Sequence, residues 1–245
     1  MELLNHFRAV VADRYQANGG DPELVPMTLS QACVEVLPVA GAGISLTDRL
    51  RVPLGASDAV AARAERLQTT LGEGPCLSAA ASAQPLVADR AGIAARWPMF
   101  YHHFVSQTPY QSVVSVPLFA RDGDTRLGAL DLYLVIREAA PDFFVSQVAR
   151  CIASPISSVL FDQRPAQAKA GSLPPWLNNA AVNRRMHVWV AVGILVEHAD
   201  VGHDDALAAL RAYAFAHDEA IDDTAERLMS RQLSPQLVLN THADA

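Results

Sequence analysis

Three sets of side chains in this 245-residue chain have the types and spacing to do chemistry. The first centres on a thiol. Cys76 follows Gly72-Glu73-Gly74-Pro75 and precedes Leu77-Ser78-Ala79-Ala80. Glycines two apart and a proline set a tight turn, and the run after them reads as a helix start. A helix N-terminus can depress a thiol pKa, so Cys76 reads as a redox or ligand-contacting group. The alternative is a small buried hydrophobe behind a structural turn. The second reading is preferred, because a redox thiol needs a resolving partner. Cys33 and Cys151, the other two cysteines, sit in helix-like stretches among apolar neighbours. No catalytic residue is assigned, and the chain is expected not to be an enzyme.

The second set is aromatic. Trp97, Phe100, Tyr101 and Phe104 cluster on one amphipathic stretch, with Tyr110 just beyond. With Cys76 they are the candidates to line a small-molecule pocket, against the plainer reading of helix core packing. His102 and His103 lie in the same stretch. Consecutive helical positions point about 100° apart, and no third ligand follows at helical spacing, so no metal site is expected. The third set is cationic: Arg184, Arg185, His198 and Arg211, near the C-terminus.

Composition sets the frame. The chain is 51% hydrophobic and 18% charged, with a net charge of −7, as expected of a globular protein with sizeable cores. Nothing in that balance attracts nucleic acid globally. Three widely spaced cysteines suggest free thiols in a reducing cytoplasm. The N-terminus carries charges inside its apolar run, unlike a signal peptide. The longest apolar run, around 187–196, falls short of the ~20 residues of a membrane helix, so a cytoplasmic location and no membrane are expected. No motif specifies a cofactor.

The elements that must position these residues follow from periodicity. Residues 1–15 read as a helix with Leu3, Leu4, Phe7, Val10 and Val11 on one face. Its stripe must be covered by its own domain or, the preferred reading, by a partner subunit. A second helix spans 28–37, with Thr28 or Ser30 as its cap. Short strands follow at 42–46 and 50–54, with Thr47 and Asp48 as turn residues. Next come a helix at 58–68, a strand at 86–89, a helix at 97–106 and strands at 111–119 and 127–135. Arg121-Asp122-Gly123-Asp124 forms the hairpin turn between the last two. A helix at 142–161 closes this part. The order predicts an α+β domain, an antiparallel sheet with flanking helices. A Pro/Ala/Gln-rich linker occupies 163–178. Beyond it Val188, Ala191, Ile194 and Leu195 recur at helical spacing, then Ala206, Leu207, Leu210, Tyr213 and Ala214, then Ile221, Ala225, Leu228 and Met229. These predict an all-α three-helix module. The boundaries are 1–26 for the N-terminal helix and loop, 27–162, 163–178, 179–236, and 237–245 for a tail.

The C-terminal stretch resembles the ANTAR domain, a three-helix RNA-binding module of bacterial transcription antitermination regulators. The segment from Arg184 to His198 follows its pattern S-R-x-x-I-x-x-A-K-G-I-L-M-x-R, and the segment from Asp205 to Ala214 follows x-A-F-x-x-L-R-x-x-A. Ala191, Gly193, Ile194, Leu195, Leu210, Arg211 and Ala214 match by identity. Val192 replaces the family Lys, His198 replaces an Arg, and Asp218, Glu219 and Ala220 stand where basic residues are usual. Those are polar or charged positions expected to face RNA. Between 180 and 235 five arginines face nine carboxylates, a balance of −4, which weakens phosphate binding unless the arginines converge.

The turn Gly72-Glu73-Gly74-Pro75-Cys76-Leu77 is similar to the G-E-G-P-C-x-x-A motif of GAF domains paired with ANTAR modules. This resemblance covers roughly residues 27–161. It implies a cytoplasmic, dimeric regulator. A GAF-like sensor, bound by a small molecule or protein, would control an ANTAR-like module that binds mRNA hairpins and promotes antitermination. Arg184, Arg185, His198 and Arg211 would be the RNA contacts by position, with Trp189 and Phe215 exposed for base stacking. The competing reading is a signalling or dimerisation scaffold whose ANTAR-like helices no longer bind RNA. The discriminating feature is an arginine stripe: Arg184, Arg185 and Arg211 on one exposed face favour RNA.

Overall fold

The computed structural model describes residues 2–47, 51–120, 122–162, 174–178 and 180–240. The expected turn residues Asp48 and Arg121, the strand position Leu50, the linker from 163 to 173 and the last five residues lie outside them.

Five strands form one antiparallel sheet: β1 (Gly41–Thr47), β2 (Arg51–Ala56), β3 (Leu86–Ala88), β4 (Ser112–Phe119) and β5 (Arg126–Leu134). Their order is β2-β1-β5-β4-β3. Period-2 alternation gives this sheet two different faces. Ala42, Ile44, Val114, Val116, Leu118, Leu130, Leu132 and Leu134 form an apolar face. Against it pack α1 (Glu2–Ala17), α2 (Val25–Val36) and the rod Asp142–Phe161. The other face carries Ser45, Arg51, Ser115, Asp131 and Tyr133 under α3 (Ala59–Leu71) and α4 (Pro75–Ser82). The predicted antiparallel sheet with flanking helices is therefore present.

Several expectations are corrected. Phe7 and Val10 of α1 are buried in the same cluster as Leu29 and Cys33, so the stripe assigned to a partner subunit is covered by its own domain. α2 begins at Val25, and Thr28 and Ser30 lie inside it; the Ser30 hydroxyl donates to the Pro26 carbonyl at 2.9 Å instead of capping. The aromatic helix expected at 97–106 is present as α6 (Pro98–Gln107), but a helix the sequence reading did not place, α5 (Arg90–Arg96), precedes it, with Trp97 between the two. The rod Asp142–Phe161 is 20 residues long and contains an 18-residue window with a mean hydropathy of 1.4, long and apolar enough by composition to cross a membrane, which the run-length reading missed. It comprises α7 (Asp142–Val148) and α8 (Ser154–Ser157) joined and followed by π-helical turns. Val148, Ile152, Ile156 and Leu160 bury its inner face against the sheet.

The C-terminal part is all-α. α9 (Ala180–Ala199), α10 (His203–Ala216), α11 (Ile221–Met229) and α12 (Pro235–Asn240) enclose a second core. This is one helix more than predicted, and Val238 of α12, placed in the tail by the sequence reading, is fully buried. Trp176 and Val182 belong to the first core, so the two parts share a boundary at the start of α9.

Candidate functional site

Between the polar face of the sheet and α3 lies a sealed network of charged and polar groups. Asp131 sits mid-sheet, opposite Gly43 of β1 on one side and Ser115 of β4 on the other. A Cβ at Gly43 would lie 2.3 Å from the Glu65 carboxylate, so the glycine is what lets Glu65 descend onto the sheet. Arg51, entering from edge strand β2, is the hub. It donates through Nε to the Cys76 Sγ at 3.0 Å, and through Nη1 to the Glu65 carbonyl at 2.6 Å and the Thr69 hydroxyl at 2.9 Å. Its Nη2 pairs with the Glu65 carboxylate and with Asp131 at 3.3 Å. Asp131 also accepts from Ser115 at 2.5 Å and from Gln68 at 2.7 Å, and the Tyr133 hydroxyl donates to Glu65.

Every member of this network is 2% exposed or less, and Glu65 is the member that also borders the cleft between the two parts of the chain. One guanidinium serves two carboxylates. Burial pushes Glu65 up to about 7 against the opposing pull of Arg51. Burial acts to lower Arg51, but Cys76, Glu65, Asp131 and Tyr133 outweigh it and hold the guanidinium well above its usual range. Removing Arg51 would leave Asp131 and Glu65 buried without their shared cation, which is strongly destabilising.

Cys76 is thus placed at the start of α4, as expected, but as a buried acceptor. Burial pushes its thiol up to about 12, although Arg51 acts in the opposite sense. The expected pocket aromatics Trp97, Phe100 and Phe104 are buried, together with Tyr110 and Tyr133, in a packed cluster; Tyr101 is partly buried against it. Phe100 and Phe104 meet tilted at 4.8 Å between centroids, and Tyr110 and Tyr133 stack at 4.9 Å. The structure places Trp97, Phe100, Phe104 and Cys76 in the core with Tyr101 packed against it, and none of the five lines the seam cleft described below. Sequence reasoning missed Arg51, Glu65, Gln68 and Asp131. The available signal was Asp131 inside Leu130–Leu134, a single carboxylate in an otherwise apolar strand.

The cationic set is divided by a seam between the two parts of the chain. Arg185 is 1% exposed in its side chain. Its Nε donates to the Arg51 carbonyl at 2.9 Å, its Nη1 to Asp222 at 3.2 Å, and its Nη2 has no partner among the described residues. Burial lowers its pKa to about 10, with Asp222 opposing. The Arg211 guanidinium packs on Gly72, where a Cβ would come within 2.6 Å of it and where the backbone is left-handed at φ 70°. The Ile221 amide donates to the Thr70 hydroxyl at 3.3 Å, and Phe215 meets His103 edge-on at 5.3 Å. Arg184 is half-exposed and paired with Asp223. His198 is exposed. Val192, the position of the family Lys, is 0% exposed, which corrects its assignment as a solvent-facing site. Trp189 and Phe215 are half-buried instead of exposed. The single exposed arginine stripe is absent: Arg185 and Arg211 turn into the seam.

Between the start of α2, strand β2, α3, and the helices α9 and α11 this seam opens into a cleft of about 640 Å3. Among the described residues no group of three or more potential metal ligands is present.

No family model matches the chain, and no curated protein matches it. Among solved structures it is similar to the GAF domain of a phosphoenolpyruvate-protein phosphotransferase from Coxiella burnetii. That match has 12% identity and a TM-score of 0.46, covering 63% of this chain and 92% of the other. It is also similar to a protein described as a GAF sensor from Burkholderia vietnamiensis, at 17% identity and a TM-score of 0.41, covering 64% of this chain and 88% of the other.

Proposed function

We propose that the chain is a signal-responsive regulator in which the α+β part receives the signal and the helical part is the effector. The effector acts by binding RNA hairpins, in keeping with its resemblance to the ANTAR pattern, and the described conformation is a docked, RNA-silent form. The observation that supports this is the fate of the cationic set. Arg185 and Arg211, two of the four candidate RNA contacts, are turned into the seam against Arg51 and Gly72. Phosphate binding needs those cations free and on one surface. A docked module with arginines covered is what a controllable binder requires.

The scaffold reading is favoured by a different observation, the burial of Val192 in the helical core. Here the seam is permanent and the output is protein contact. A titration of a two-hairpin RNA at two salt concentrations separates the two. The full chain is compared with Thr70→Ala/His103→Ala, which loosens the seam from the α+β side and leaves every helical-module residue in place. Loop-dependent, salt-sensitive binding that is stronger in the double variant supports release. Absence of binding by both proteins sinks the RNA reading and leaves the scaffold.

A further inference from the structure

We propose that the cleft in the seam is a binding site for a small organic monocarboxylate with an apolar body. The proposal rests on the sensing half of the reading above and is independent of RNA as the output. At about 640 Å3 the cleft lies within the roughly 300–1,000 Å3 of small-molecule sites. Met27 of α2, Pro53 of β2 and Ala62 of α3 supply an apolar wall. Two cationic side chains line the same space with donors left over. Arg66 has no hydrogen bond or ion pair among the described residues and is exposed at the cleft. Arg185 borders the cleft and is almost wholly buried; its Nη2 is closed off from solvent and has no partner among the described residues. A buried guanidinium nitrogen without a partner is costly. A planar carboxylate is the anion whose two oxygens match a guanidinium edge.

The acidic residues around the cleft narrow the class. Asp58 caps α3 through the amides of Val60 and Ala61, Glu65 is held by Arg51, and Asp222 is held by Arg185. Glu23 also lines the cleft and has no ion pair among the described residues. A phosphate or polyphosphate would bring two or more negative charges to this carboxylate-rich wall, whereas a single carboxylate brings one. The cleft walls come from both parts of the chain, so an occupant would hold the docked form by mass action.

Calorimetric titration of the full chain with phenylacetate and with octanoate, and with inorganic phosphate as the contrast, tests the site. Saturable binding of a carboxylate probe with a Kd of about 10 mM or tighter is expected. Arg66→Ala should weaken it roughly three- to tenfold. Met27→Trp, or Ala62→Leu should the first variant not fold, should fill the cleft and abolish it. No saturation by either carboxylate overturns the proposal, as does phosphate binding as tightly as they do. Undiminished binding in a folded cleft-filling variant also overturns it. The titration contains no RNA, so its failure is distinguishable from failure of the RNA reading.

Discussion

The Arg185 Nε donates to the backbone carbonyl of Arg51 across 134 positions of the chain, at 2.9 Å. Arg51 opens β2, an edge strand, and edge strands leave a row of unpaired backbone groups. Here α9 covers that edge, and Arg185 satisfies one of its carbonyls while holding Asp222 of α11. The same residue whose side chain organises the buried network therefore offers its backbone to the seam. The α+β part and the helical part meet at Arg51.

Removing Arg185 should open the seam. Arg185→Ala leaves the Arg51 carbonyl and Asp222 without their buried donor, and should lower stability by roughly 2–4 kcal/mol. Arg185→Lys should recover only part of this, because one ammonium cannot reproduce the fork that reaches both acceptors. Urea denaturation measures the loss. Hydrogen exchange should show α9 and α11 deprotected before the sheet. Uniform deprotection of sheet and helices would contradict a separable seam.

The buried network should make stability depend on pH through Glu65. Burial raises its folded-state pKa from 4.5 to about 7, so the native form holds a proton that the unfolded chain releases. The contribution is fully present below about 4.5 and is lost as pH rises through about 7. Glu65→Gln mimics the protonated form and should remove that slope. Urea midpoints of wild type and variant, compared between about pH 5 and about pH 8, read the difference. Parallel profiles would show that Glu65 does not titrate in this window.

The sequence made the layers legible and left the chemistry hidden. Alternation such as Val114, Val116 and Leu118 marks a half-buried strand whatever its partners, and the helical spacing of Val188, Ala191 and Leu195 marks a buried stripe. The aromatics could be placed on a helix, but not assigned to core or cavity, since an amphipathic face reads alike in both cases. Arg51, Glu65 and Asp131 are separated by up to 80 positions and converge only through strand order and register. The resemblance that singled out Arg185 and Arg211 describes a module on its own. It carries no information about a second domain covering them, and packing against that domain is what turns both side chains into the seam.

The burial of the thiols should be directly visible in their reactivity. Cys33 and Cys76 are fully buried, and burial raises both thiol pKa values, Cys76 to about 12. Thiolate is the reactive species, so neither should react in the folded chain near neutral pH. Cys151, on the Asp142–Phe161 rod, is only partly buried against the first core. Iodoacetamide labelling read by mass spectrometry should therefore modify at most Cys151 in native protein, and all three cysteines in denaturant. Rapid native labelling of Cys76 would mean that the network opens to solvent. It would restore the reading of Cys76 as a reactive group, which its position beside Arg51 would then promote instead of seal.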